Sequence, residues 1–194
     1  MPARLTRAFL ALLLLSLPVA ASAAALPPGV ARQLPRGFAV IASARSDPAP
    51  GRTFYFVALE ARASGERAPV RPLLLFDMRK AGRPALAARN DHVLFRSDEG
   101  GYNGCDPFEQ RRIAARGAYV TVEQGIACGD HWTDYVTFRF DRALGTYVFD
   151  NWRTQSWSMN NRRARGGQAL VSDGQKVVRS KKRAVSFAKW ARPE

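Results

Sequence analysis

The sequence predicts a mainly β protein: an antiparallel β-meander, sandwich-like or resembling part of a propeller, with one disulfide and little helix. Short apolar or alternating runs are separated by brief turns rich in Gly, Pro and Asp, a pattern typical of antiparallel strands. No amphipathic pattern is long enough to predict a helix of more than about ten residues. A chain of 194 residues, 46% of them hydrophobic, is long enough to form one domain with a core.

Residues 1–23 have the organisation of a secretory signal peptide. Arg4 and Arg7 give a positive start, residues 8–17 form an apolar run too short to span a bilayer, and residues 21–23 are a small-residue cleavage site. We therefore expect cleavage near Ala23 and a mature protein that is soluble, not membrane-spanning, and periplasmic or secreted. Residues 24–194 are predicted to form a single β-rich domain.

The first half of that domain predicts a lead-in segment followed by short strands. Residues 26–37 contain three prolines, which limits helix to about one turn near residues 30–34. Residues 46–51 and 80–84 have the composition of turns. Residues 53–60 carry large apolar side chains at successive positions, which indicates a strand buried on both faces. Strands are predicted at residues 38–42, 53–60, 71–78, 85–90 and 92–96.

The second half predicts a ladder of hairpins. Residues 97–106 are irregular, and Gly117 separates two short strands. Residues 135–140 alternate strictly, with Val136, Phe138 and Phe140 on one face, which predicts a half-buried antiparallel strand. Residues 160–167 form a basic, glycine-containing loop. Further strands are predicted at residues 111–116, 118–123, 146–150, 152–157, 176–178 and 184–190.

The two cysteines are expected to form a disulfide. An exported chain meets an oxidising compartment, where Cys105 and Cys128 are the only thiols. Closing a loop of about 24 residues is worth roughly 3 kcal/mol in the chain-entropy treatment. A metal site competes poorly, because His92 and His131 are the only histidines. We predict no metal and no cofactor.

Positive charge is concentrated near the C-terminus. Residues 151–194 contain 11 Lys or Arg and two acids, whereas residues 24–150 contain 17 Lys or Arg and 14 acids. Such a segment attracts polyanions through electrostatic forces that salt screens. A role in solubility alone also explains the excess of positive charge. Aromatic residues are interleaved with the cations, but the signal peptide argues against nucleic acid as a physiological partner. The predicted binding cations are Arg162, Arg163, Arg165, Lys181, Lys182 and Arg183.

The densest polar and aromatic cluster covers residues 129–135. Asp130, His131 and Asp134 could orient one another as acid, base and orienting group. The favoured alternative is structural: Trp132 packs on the disulfide and Asp130 makes an Asx-turn. In either case Trp132 and Tyr135 are candidate binding residues.

Weaker motifs predict no chemistry. Ser158 and Ser172 lack the glycine pattern of a nucleophile elbow, and residues 100–104 lack a following helix signal for a phosphate cradle. Asp98, Glu99 and Asp106 have the composition of a calcium loop, but their spacing fits no EF-hand. We interpret that stretch as a surface loop.

Several motifs together resemble a known family. They are Cys105-Asp106-Pro107-Phe108, residues 118–123, His131-Trp132, and residues 71–76, 86–90 and 135–140. They are similar to those of exported proteobacterial proteins whose β-meander is related to FG-GAP/VCBS propeller-type modules. The resemblance covers residues 26–190 and implies fold and compartment, with no catalytic residue. Many members of that family carry an acidic loop after the first strand that resembles a calcium site, whereas residues 43–48 hold one acid here, which argues against calcium binding.

Two functional hypotheses follow. The first is a non-catalytic binding protein of the cell envelope, inhibitor-like or immunity-like, with a basic face for an anionic envelope polymer or an envelope protein. The second is an envelope-polymer hydrolase that uses Asp130, His131 and Asp134. A hydrolase needs those side chains to converge in one pocket, whereas a binding protein needs an exposed basic or aromatic patch.

Overall fold

The architecture is mainly antiparallel β, as the sequence predicts. The computed structural model describes residues 25–62, 68–78, 83–101, 104–160, 169–181 and 183–193, with the backbone alone for Asp130. One short helix, α1 (Pro28–Ala31), precedes the strands, and a single 3-10 turn (Phe187–Lys189) follows them. The strands are β1 (Phe38–Ala49), β2 (Arg52–Ala61), β3 (Leu73–Met78), β4 (Pro84–Asn90), β5 (Arg112–Arg116), β6 (Tyr119–Cys128), β7 (Asp130–Asp141), β8 (Thr146–Met159) and β9 (Leu170–Arg179).

The strands form two meanders in chain order. The first sheet has the order β1-β2-β3-β4 and the second has the order β5-β6-β7-β8-β9. Every neighbouring pair is antiparallel, and tight turns join β1 to β2, β5 to β6, β6 to β7 and β7 to β8. The tight turns at Gly51 and Gly117 have φ values of 70° and 55°, which glycine adopts without steric cost.

The two sheets pack face to face around one aromatic core. Phe54 and Phe56 of β2 each meet Tyr147 of β8 edge to face, with ring centroids 5.4 and 4.9 Å apart. The buried hydroxyl of Tyr147 shares a 2.6 Å hydrogen bond with the Ser46 hydroxyl, and burial raises the pKa of Tyr147 to about 12. The predicted alternation in β7 is confirmed, since Val136 and Phe138 are fully buried in this core.

The first sheet is buried on its other face as well. Val30 of α1 packs with Tyr55, Val57 and Leu74 on the side away from the second sheet. This cover explains why residues 54–59 are buried without alternation, as the apolar run predicts.

Three predicted elements differ from the structure. Strand β1 continues to Ala49, although residues 46–51 have the composition of a turn. Residues 92–96 do not form a strand, because the Asn90 side chain accepts the His92 amide at 2.7 Å and turns the chain there. Residues 184–190 are not a closing strand: beyond one bridge at Ser186 they form the 3-10 turn. That turn directs Phe187 and Trp190 into the core.

The C-terminal segment closes the sandwich. The buried Asn90 side chain donates from Nδ2 to the carbonyls of Phe187 and Trp190, at 2.5 and 2.9 Å. Phe187 contacts Phe56 of the first sheet and Phe138 of the second, with centroids 5.6 and 5.0 Å apart. Residues about 100 positions apart in sequence therefore hold the two sheets together.

A buried arginine and the disulfide fix the long connection between the sheets. Arg71 is 3% exposed, donates to Glu60, and donates from Nη2 to Asp106 at 2.7 Å. Burial opposes the charge of Asp106, but the hydrogen bonds from Arg71 and the Phe108 amide outweigh it and hold the pKa of Asp106 below its ordinary value. The predicted Cys105–Cys128 disulfide is confirmed, with Cα atoms 6.6 Å apart.

Candidate functional site

Two of the three residues in the hydrolase hypothesis, His131 and Asp134, lie on opposite faces of β7. Side chains alternate along a strand, so positions 131 and 134 cannot share a face. Asp134 points inward and is 2% exposed, whereas His131 lies on the outer face, where Nδ1 meets the Gly129 carbonyl at 3.0 Å. The Asp130 side chain lies outside the described part of the structure. The described residues therefore do not assemble an acid and a base at this strand.

Asp134 belongs to a buried structural clamp. Its Oδ2 accepts the indole N–H of Trp152, and its Oδ1 accepts Nη2 of Arg192 at 2.7 Å. Arg192 also donates to the carbonyls of His92 and Val93, at 3.0 and 2.8 Å. Both carboxylate oxygens are thus engaged, and the residues around Asp134 fasten the C-terminal segment to β7 and β8.

The two aromatic residues of this region that were predicted to bind a ligand, Trp132 and Tyr135, both lie in β7. Trp132 is half-buried and meets Phe95 edge to face, with centroids 5.2 Å apart. Trp132 also lines a cleft of about 280 Å³ beside Cys105 and Cys128. Tyr135 is half-buried on the outer face of β7, opposite Arg153 of β8.

A different region combines exposed charge with apolar surface. Strand β9 pairs with β8 only as far as Asn151, after which the Ser180 amide donates to the Asp150 carbonyl at 2.7 Å. The chain then leaves β8 and returns at Val185, whose carbonyl accepts the Phe149 amide at 2.8 Å. This detour opens a groove of about 820 Å³, which we call the basic groove.

Four cations line the basic groove: Arg179, Lys181, Arg183 and Lys189. All four side chains are exposed. No acidic residue is among the described residues that line the groove. Within the described ranges, these four side chains take part in none of the ion pairs. Because no described acidic side chain pairs with them, their positive potential is directed at solvent.

The floor of the basic groove is apolar. Phe149 and Trp190 are stacked, with centroids 5.5 Å apart and ring planes inclined by 24°. Both are nearly buried, at 5% and 3% exposure, so they support the groove from within, and its exposed apolar lining comes from Ala184, Val185 and Ala191. Val178 and Val185 extend this floor towards the rim, where Val185 is 38% exposed.

The structure places some of the predicted binding cations in this groove. Lys181 and Arg183 line it together with Arg179 and Lys189, which the sequence analysis missed. Arg179 lies in β9 and Lys189 lies in the 3-10 turn, so only the return of the chain to β8 at Val185 brings them together. Arg162, Arg163, Arg165 and Lys182 lie outside the described residues.

The acidic residues of the irregular loop have structural partners. Asp98 accepts the Ala68 amide at 3.3 Å, Glu99 accepts the Arg96 amide at 2.7 Å, and Asp106 pairs with Arg71. In the part of the chain that is described, no group of three or more His, Cys, Asp or Glu side chains is arranged to hold a metal ion. The same described residues include no helix that is long and apolar enough to cross a membrane.

Comparison with known proteins adds no assignment to this geometry. No family model, no curated protein and no solved structure matches the chain. The resemblance to FG-GAP/VCBS-type modules therefore stays a prediction, and the residues of the basic groove carry the functional argument alone.

Proposed function

We propose that this protein is an exported, non-catalytic binding protein of the cell envelope, and that its basic groove holds an anionic partner. The observation that carries the proposal is the set of four exposed cations around an apolar floor, none of which is ion-paired with a described residue. Binding sites of this kind combine apolar walls with a few well-placed polar groups. The export part rests on the signal-like residues 1–23 and is consistent with the disulfide, which persists in oxidising compartments.

The arrangement around β7 gives the hydrolase hypothesis no support. A general base must reach the proton it removes, and an orienting carboxylate must reach that base. Asp134 instead binds Trp152 and Arg192 behind the strand, away from His131.

Ion-exchange chromatography on a phosphate-bearing resin tests the binding proposal. Two double variants with the same loss of charge are compared with wild type on phosphocellulose. The first is Lys181→Gln/Arg183→Gln, in the groove. The second is Arg116→Gln/Arg142→Gln, which changes exposed arginines on β5, at the far edge of the second sheet, and in the β7–β8 turn.

We expect the groove variant to elute at clearly lower salt than the control variant, because clustered cations act together within a Debye length of about 8 Å. Elution of both variants at the same salt concentration would refute the proposal, since net charge would then explain retention. All four substituted side chains are exposed, so equal melting temperatures are expected and would exclude unfolding as the cause.

A further inference from the structure

We propose that the ligand of the basic groove is an anionic amphiphile, an alkyl or acyl chain that carries a phosphate head. This inference rests on the proposed function and specifies its ligand. The cations of the groove would hold the phosphate, and the exposed apolar side chains of Ala184, Val185 and Ala191 would hold the chain.

The polar part of the groove suits a multiply charged head. Arg179 and Arg183 present planar guanidinium groups, which bind phosphate oxygens in pairs, whereas Lys181 and Lys189 act as point charges. Four cations around one groove exceed what a single carboxylate neutralises. A phosphate, with up to two charges and three free oxygens, matches them better.

The apolar part of the groove calls for a second feature in the same ligand. An inorganic anion would leave the exposed apolar side chains of Ala184, Val185 and Ala191 uncovered beside it. The groove volume of about 820 Å³ lies in the range of sites that enclose ligands with both apolar and polar parts. Each methylene that leaves water for such a floor increases affinity about fourfold.

An extended acidic peptide suits the groove less well. Peptides that bind as added strands depend on free main-chain groups along the receptor. Here the Ser180 amide, the Val185 carbonyl and the Ser186 carbonyl are already used within the protein, by Asp150, by Phe149 and by the 3-10 turn. At these three positions recognition is left to the side chains, through charge at the rim and apolar contact on the floor.

Equilibrium dialysis with three probes distinguishes the affinity contributed by the phosphate head from the affinity contributed by the alkyl tail. Dodecyl phosphate carries both, inorganic phosphate carries the head alone, and dodecyl maltoside carries the tail with a neutral head. Each probe is used with the full-length mature protein, below the micelle concentration. We expect dodecyl phosphate to bind at least about tenfold more tightly than either other probe, since two buried methylenes are sufficient for such a factor.

Three variants locate the binding. Lys181→Gln/Arg183→Gln should weaken dodecyl phosphate binding at least about tenfold, and Arg116→Gln/Arg142→Gln should leave it within about twofold of wild type. Val185→Ser removes apolar surface while keeping the backbone, so it should weaken dodecyl phosphate about fourfold and leave inorganic phosphate unchanged.

The inference is overturned if dodecyl phosphate binds no more tightly than inorganic phosphate, or if the neutral probe binds as well as the charged one. Equal weakening by both double variants would also overturn it. If phosphocellulose retention still depends on the groove cations when dodecyl phosphate shows no preference, the amphiphile is wrong and the proposed function stands. If retention does not depend on those cations, the proposed function itself fails.

Discussion

The clamp at Asp134 predicts that a single-atom change inside the second sheet destabilises the whole protein. Both carboxylate oxygens of Asp134 accept hydrogen bonds, one from Trp152 and one from Arg192. Asp134→Asn has nearly the same shape but keeps one acceptor oxygen, so its NH2 group must face either the indole N–H or the guanidinium. The substitution also removes the negative partner of Arg192, whose side chain is only 18% exposed.

The expected cost is a few kcal/mol of unfolding free energy. Breaking a buried ion pair by removing one partner costs about 3–5 kcal/mol, and an unpaired buried donor costs about 1–3 kcal/mol. Because Arg192 keeps its two backbone carbonyls, we place Asp134→Asn at the lower end, about 3 kcal/mol. At a typical urea slope of about 2 kcal/mol per molar, the unfolding midpoint should fall by about 1.5 M.

Urea unfolding at pH 7, followed by tryptophan fluorescence, measures this effect. His131→Ala is the matched control, because it lies three positions earlier on the same strand and on the opposite face. It should change the unfolding free energy by less than about 0.5 kcal/mol, since its contact is a local one to Gly129. The clamp reasoning would be refuted if Asp134→Asn unfolded like wild type or if His131→Ala were equally destabilising.

Three further outcomes are expected. The Cys105→Ser/Cys128→Ser variant should lose roughly 3 kcal/mol of unfolding free energy in urea. A thiol assay on denatured, unreduced wild type should find no free thiol, and two free thiols would contradict the disulfide. Melting temperatures should be measured from pH 7 to pH 2.5. The stabilising contribution of the Asp106 carboxylate to folding should be complete above its unfolded pKa of 3.8 and should be lost as pH falls through its lower native pKa. Asp106→Asn should therefore be less stable than wild type at pH 7 and should converge with it in acid, and a constant difference would contradict this linkage. N-terminal sequencing of exported protein should begin near residue 24, and retention of residues 1–23 would contradict the signal peptide.

Local patterns were sufficient to predict the class of fold. Alternation in β7 and the continuous apolar run of β2 reflect burial on one face and on both faces, and each depends only on neighbouring residues. The disulfide followed from the presence of only two cysteines in a chain with a signal-like start.

Features that depend on distant residues could not be predicted in this way. Residues 92–96 are apolar enough for a strand, but Asn90 uses its side chain to turn the chain and to bind carbonyls near the C-terminus. No local pattern distinguishes Arg71 and Arg192 from the other arginines, because only the fold places carboxylates beside them. In the same way, the basic groove needs cations from β9 and from the 3-10 turn, whose proximity no local pattern encodes.

The closure of the sandwich by residues 187–192 also has a kinetic consequence. Contacts between positions about 100 residues apart require closure of a long loop, and chains rich in such contacts fold slowly. Phe187 and Trp190 are part of the core, so a nascent chain that still lacks them cannot reach its final packing. Final packing of the core therefore waits for the segment of residues 187–192, an order that suits the export we propose, because a translocation channel admits an unfolded chain.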